Sequence, residues 1–491
     1  VFMRLSYAVL AAALGFVPLC KAASVSESKN LEISIYNNNL ALVKDTRDVN
    51  LQKGANNVAF EGVAAQIKPE SVLFTGDGIG VKEYNYDYDL LTNQNIIEKS
   101  VGKTVKTVIQ NPTTGENIFD KAKIVSANGG MPVLEFSYGI EPQFGGRLVF
   151  ENLPENLHNK PTLAANITSV SAGVHELMLA YLTGGISWKT NYVANVNSAD
   201  TLDLNGWVAI NNRSGIDYKD AKVQLIAGDV NQVYDGGIAR PMYATRMMAK
   251  AMVNDAVTLE AAGAAPQQIS GYQLYTLPDK TDIKDNQTKQ VILIEKNKVK
   301  YAKEGRLYSS LYFGGDYQSS FEKVHPDMYY IMRNTDEDNL GLPLPAGVVR
   351  FYENDDSGSM QFIGENSIGH VAKGEKIELN LGSFFNIFAD GKVLKVNKVS
   401  EKKITDIVNG CRKATVVRNY DAEVTFNNGG KTAERIIFKQ SINQNSKVIA
   451  ESIKGSLKDV NNYEWVIDLA ADSEAKLTFT VQTSSDERVC Q

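Results

Sequence analysis

LMLAYLTGGISWKTNYVANVNSADTLDLNGWVAINNRSGIDYKDAKVQLIAGD spans Leu177–Asp229. Trp188, Thr190, Tyr192, Ala194 and Val196 occupy alternate positions, with Lys189, Asn191 and Asn195 between them. Successive side chains of a strand point to opposite faces, so this alternation predicts a half-buried β-strand. Leu202, Leu204, Val208 and Ile210 repeat the pattern, as do Ala221, Val223 and Leu225. Thr183-Gly184-Gly185, Asn197–Asp200 and Asn211–Gly215 separate the runs, and Gly and Asn supply the positive φ of tight connections. The expectation is four consecutive strands in an antiparallel meander with one apolar face. Trp188 and Trp207 are read as core or inter-sheet packing rather than a ligand platform.

Working outward, the bulk composition bounds the class. The chain has 491 residues, 43% hydrophobic and 22% charged, an ordinary globular balance. Twenty-two Tyr and 18 Phe against four His favour β-structure and leave few imidazole metal ligands. Residues 1–23 read as a signal peptide: Arg4, an apolar run from Ala8 to Leu19, then small residues around Cys20-Lys21-Ala22. That run is short for a bilayer span, and no later run approaches the length of one. The bulky Leu19 before Cys20 argues for simple cleavage over a lipoprotein anchor at Cys20. Without the leader, 49 basic residues face 57 acidic ones, so the formal charge moves from -6 to -8. Such a balance disfavours nucleic acid and anionic lipid as non-specific partners. Export predicts a periplasmic or secreted location, where the two cysteines beyond the leader, Cys411 and Cys490, are expected to form a disulfide.

Several stretches are similar to a known family. YLTGGISWKTNYVA (181–194), LNGWVAINNRSG (204–215) and VQLIAGDVNQV (223–233) resemble the core of uncharacterised bacterial exported proteins filed as domain of unknown function 4139. LGLPLPAGVVRFYENDDSGSMQFIGENSIGHVAKGEKIELNLG (340–382) resembles a second block of that family. ISIYNNNLALVKDTRDVNL (33–51) and GGRLVFENLP (145–154) are similar to its N-terminal half. The resemblance implies a fold and no agreed activity, cofactor or catalytic residue. Relatives labelled mucoidy inhibitor A hint at envelope polysaccharide, but their long helical hairpin has no counterpart in this sequence.

Taken in order, 24–82 is expected to be part of an N-terminal β-sandwich. Residues 83–155 follow as a short helix and a small barrel-like module. Within 83–155, Thr92 is placed as N-cap, and Gly102 follows the helix. A central β-sandwich core is assigned to 156–390, interrupted at 235–270 by a Met- and Ala-rich insertion, flexible or helical around Met247–Leu259. An immunoglobulin-like sandwich is assigned to 391–491 from its strand count and spacing. VAINNRSG, YIMRNTDE and VTFNNGGK share a strand running into an Asn-rich turn and suggest a degenerate repeat of one sandwich unit.

Few residues carry a chemical signature. Tyr84, Tyr86 and Tyr88 share one strand face and form a candidate binding surface, with sheet packing as the competing role. Gly76, Gly78 and Gly80 are turn residues, since no buried strand and helix frame them as a phosphate cradle needs. Glu353–Gly358 starts like a calcium loop, but its twelfth position is Gly364 rather than a bidentate Glu. Asp336, Glu337 and Asp338 read as a solvated turn. His158, His175, His325 and His370 lack metal-ligand spacing. No catalytic residue, cofactor or metal is therefore assigned. The expected function is a non-catalytic envelope β-protein that binds or scaffolds a partner protein or polysaccharide. The alternative is an envelope glycan- or peptide-cleaving hydrolase using carboxylates.

Overall fold

A computed structural model describes residues 23–87, 91–127, 131–154, 157, 159–198, 200–228, 230–231, 266–269, 271–404 and 411–490. At 403, 411, 412, 489 and 490 the description covers the backbone alone. The protein is mainly β, with 64% of the described residues in strands and 3% in helix, arranged in several sheets of β-sandwich type. Among the described residues no helix is long and apolar enough to cross a membrane.

All four strands expected in the opening stretch form: Gly173–Thr183, Ile186–Val196, Thr201–Asn212 and Tyr218–Ala227. They are not one meander. The first and last belong to one sheet, with Asn30–Tyr36 and Ala41–Leu51 between them, whereas the middle two pair in another. The glycine turn between the first two strands is a corner rather than a hairpin. Gly184 N bonds to Gln66 O, and Arg213 N bonds to Gly185 O. Gly185 has φ +78°, and a Cβ there would lie 2.6 Å from Arg213 O. Alternation marks which face is buried but leaves the choice of partner strand open. The same register corrects one tryptophan. Trp188 is fully buried, but Trp207 points away from the Leu202–Leu204–Val208–Ile210 face and is 38% exposed.

The chain forms two compact units that interleave in sequence: 1–187 with 211–225 and 279–288, and 188–210 with 226–278 and 289–491. In the first unit, the main sheet runs Tyr218–Ala227, Asn30–Tyr36, Ala41–Leu51, Gly173–Thr183, Leu73–Thr75. A second sheet sets Thr162–Ser169 between Gly54–Glu61 and Ile79–Asp87. Ile33, Ile35, Val43, Phe60, Leu163, Ile167 and Leu179 are buried in this unit.

Still in the first unit, Thr104–Gln110, Asn117–Ser126, Val133–Phe136, Gly139–Glu141 and Arg147–Val149 build a separate five-stranded sheet. Its own small core joins Val105, Ala122, Ile124, Leu134 and Phe136 with Ile97, Phe144, Leu148 and Phe150. Ile97 arrives on the helix Asn93–Glu98, whose N-cap is Thr92, accepting from Asn95 N at 3.1 Å. Gly102, φ +83°, follows the helix end as expected.

In the second unit, Ile186–Val196 pairs in parallel with Gly347–Asn354. The two backbones approach closely at Gly347, where a Cβ would lie 2.3 Å from Thr190 O. The C-terminal sandwich draws on residues before its expected boundary at 391, since Leu307, Leu311 and Phe313 join its core. That core centres on Trp465, whose ring lies 4.7 Å from Phe479 and 4.6 Å from Tyr463. Glu451 Oε2 accepts from Trp465 Nε1, the Tyr463 hydroxyl and Gly455 N. Of the 235–270 insertion, 235–265 and 270 lie outside the described residues, including the expected helix. At its end, Pro266–Ile269 is a strand paired with Tyr272–Thr276.

The three Asn-rich turns share a device. Asn212, Asn334 and Asn428 are buried at strand ends. Asn212 Nδ2 donates to Ile216 O and Ile283 O, Asn334 Nδ2 to Leu342 O and Ala372 O, and Asn428 Nδ2 to Thr432 O and Ala470 O. Each Oδ1 in turn accepts a backbone N–H, from Ser214, Leu342 and Gly430 respectively. A buried amide satisfied on both sides replaces the ladder bonds that end with the strand.

Candidate functional site

The strand Ala41–Leu51 reads apolar on one face at Ala41, Val43, Val49 and Leu51, yet that face also carries Asp45 and Arg47. They lie in a cleft of about 580 Å³ within the first unit. Asp45 is 5% exposed. Arg47 Nε and Nη2 both donate to Asp45 Oδ2, at 2.9 and 2.7 Å, while Nη1 donates to Glu61 O at 3.0 Å. The guanidinium also lies 5.8 Å from the Phe60 ring centre. Asp45 Oδ1 is buried with no hydrogen-bond partner among the described residues.

Two fully buried phenols line the same cleft. Tyr181 accepts from Ala64 N at 3.2 Å, and Tyr218 donates to Ser214 Oγ at 3.0 Å. Burial pushes both hydroxyls well above the ordinary tyrosine value, so they stay neutral. Asp217 and Asp285 at the rim hold the turn geometry: Asp285 N donates to Asp217 Oδ1, and Gly215 N to Asp285 Oδ1. The arrangement is a pre-paired polar pocket whose lining also includes Ser28, Lys160 and Lys219.

No family model matches the chain, and no curated protein matches it significantly.

A second cleft, of about 610 Å³, lies within the second unit. Tyr301 and Tyr330 stack there with ring centres 5.1 Å apart. Burial, with Glu353, Asp200 and Glu434 nearby, raises the Tyr301 hydroxyl to about 12, and it donates to Ser198 O. Lys303 Nζ lies 2.7 Å from Glu434 Oε1, which also accepts from Thr432 Oγ1. Glu353, the other carboxylate of this cleft, is exposed.

The residues singled out by sequence are scattered. Tyr84 and Tyr86 lie on Ile79–Asp87, with hydroxyls tied to Pro69 O and Ala65 O, and Tyr84 packs 6.0 Å from Phe74. Tyr88 lies outside the described residues. Asp355 closes a hairpin, accepting from Ser357 N, Ser357 Oγ, Ser359 N and Gln361. Those donors, led by the Ser357 hydroxyl, hold its carboxyl at about 2. The three described histidines contact turns: His175 reaches Ser171 O, His325 reaches Phe384 O and Ile387 O, and His370 accepts from Ala346 N. His158 lies outside the described residues. Among the described residues no His, Cys, Asp or Glu cluster could hold a metal ion. The side chains of Cys411 and Cys490 are also outside the description, but their Cα atoms are direct register partners on adjacent antiparallel strands.

Sequence reasoning passed over Asp45 and Arg47. Their signal was present: charge at two alternate positions of an otherwise apolar strand face, which burial permits only to paired groups.

Proposed function

We propose that this chain is an exported, non-catalytic protein of a bacterial envelope, periplasmic or secreted, that binds or scaffolds another envelope protein or a surface polymer. One observation carries the non-catalytic reading. The more buried carboxylate of each cleft is already engaged, the buried Asp45 by Arg47 and the half-buried Glu434 by Lys303 and Thr432. A glycan hydrolase needs one carboxyl held protonated as a donor beside a second carboxylate. Where donors shift carboxyls strongly, as Arg306 does at Glu378 and Ser357 does at Asp355, the shift is downward. Membership of the domain of unknown function 4139 family and an immunoglobulin-like C-terminal sandwich belong to the same proposal. Both rest on the sequence blocks and strand spacing given above.

Export also rests on the leader-like 1–23, and the cysteine register supports it. Directly opposed residues of antiparallel strands have Cα atoms about 4.5–5.5 Å apart, inside the span a disulfide needs. Closing the loop between Cys411 and Cys490 would stabilise the fold by about 4 kcal/mol in the chain-entropy model. Mass spectrometry of the unreduced protein should find the linked peptides. Two thiols that alkylate without reduction would defeat the disulfide.

The test of function mixes purified protein with insoluble cell-wall and surface polysaccharide preparations. Pelleting without released fragments is the expected result. Fragments that accumulate with time would establish the hydrolase instead. If neither occurs, crosslinking in the intact envelope should recover a protein partner, and its failure would remove the binding reading.

A further inference from the structure

The five-stranded sheet of the first unit has one face against its own small core and a second face that is exposed except at Val108, which is 5% exposed. Register assigns the second face. Lys106 pairs with Lys121 and Val149, Val108 with Phe119 and Arg147, and Lys123 with Thr104 and Glu135, which in turn pairs with Ile140. Paired residues share a face, so four cations, Lys106, Lys121, Lys123 and Arg147, stand together with two acids, Glu135 and the Glu151 that bonds Lys106. Lys106 and Lys121 are directly opposed, and the Glu151 carboxylate offsets this like-charge pairing, its carboxyl held below the ordinary value first by Lys106 and also by Lys121. Among the described residues only Lys106 has an ion-pair partner, Glu151 at 2.9 Å. Between the cations stand exposed apolar side chains: Phe119 at 69%, Ile140 at 63% and Val149 at 43%.

We infer that this face docks reversibly on an anionic phospholipid surface, which goes beyond the function proposed above and does not depend on it. Lysines draw the face to lipid headgroups, and the interspersed Phe119, Ile140 and Val149 enter the interface. Charge complementarity selects an anionic occupant, and the apolar component selects lipid. A soluble polyanion would engage the cations and leave Phe119 and Ile140 in water. A folded protein partner is disfavoured by size. Strands of 7, 10, 4, 3 and 3 residues, at about 3.3 Å per residue and about 4.8 Å apart, cover a footprint of about 430 Å², against the roughly 800 Å² per partner of a stable complex. The acidic whole-molecule balance does not prevent this, because charges beyond about 8–10 Å are screened at physiological salt.

The test is co-sedimentation of the full chain with phosphatidylglycerol–phosphatidylcholine vesicles, against vesicles of phosphatidylcholine alone and against soluble polygalacturonate. Binding to the anionic vesicles that weakens with salt is expected. Lys121→Glu with Lys123→Glu should lower partitioning by about 25-fold or more, at about fivefold per lysine lost. Phe119→Ser should lower vesicle binding and leave the salt dependence unchanged. All three positions are exposed strand sites, and a cooperative thermal transition retained in each variant will confirm folding. Equal binding to both vesicle types, or no effect of the lysine reversals, would overturn the proposal. So would polygalacturonate binding as tight as that to vesicles and indifferent to Phe119→Ser, which would make the occupant a soluble polyanion.

Discussion

Asp45 and Arg47 form a pair that neither residue could sustain alone. The two side chains are 8% and 12% exposed, so removing one leaves an uncompensated charge away from water. Asp45→Ala should therefore destabilise the protein by about 3 kcal/mol, read from its urea-unfolding midpoint; a loss below about 1 kcal/mol would mark the pair as surface-like. Glu378 offers a pH test. Arg306, bonded to it bidentately at 2.9 Å, holds its carboxyl at about 2. An unfolded glutamate titrates near ~4.3, so the pair's contribution is complete above that value and drains away as pH falls toward 2. In Glu378→Gln the decline of the thermal midpoint across that window should flatten. An identical slope would place the acid sensitivity elsewhere.

Among the elements, the buried asparagine corner recurs at Asn212, Asn334 and Asn428. Each occurrence satisfies two carbonyls and one N–H where a strand ends. Asn334→Ala would strand Leu342 O, Ala372 O and Leu342 N, at a cost of about 2–3 kcal/mol. Denaturant titration would check this, and Asn334→Asp, which keeps the acceptor and loses the donors, should recover only part. The shared strand-into-Asn pattern was legible in the sequence as a weak repeat. Its meaning was not, because the bonded carbonyls of Ile283, Ala372 and Ala470 lie 71, 38 and 42 residues away. The N-cap Thr92 of the short helix was legible in the sequence, since capping is local chemistry, though the helix ends at Glu98 rather than Ser100. Trp207 was misjudged for the opposite reason. Residue type suggested burial, while strand register put it on the outer face.

At the scale of the molecule, two units interleave, and a fragment cannot be cut by sequence order. Residues 1–187 lack the strand Tyr218–Ala227, which lies beside Asn30–Tyr36 in the main sheet of the first unit and buries Tyr218, Val223 and Leu225. That fragment alone should show no cooperative thermal transition by circular dichroism. A sharp transition would mean that the remaining strands close a core without it.

Strand identity, the mainly β class, the turn positions and the capped helix were determined by the sequence itself, because period-two alternation and capping act over a few residues. Only the tertiary structure decided that the second and third strands of Leu177–Asp229 leave the sheet of the first and fourth. It alone also brought Asp45 and Arg47 of one strand into a cleft with Tyr181 and Tyr218 of two others, and gathered four cations onto one sheet face. Each of these depends on which strand lies beside which. That choice is made by packing between distant segments, and a hydrophobic pattern specifies a face without specifying its neighbour.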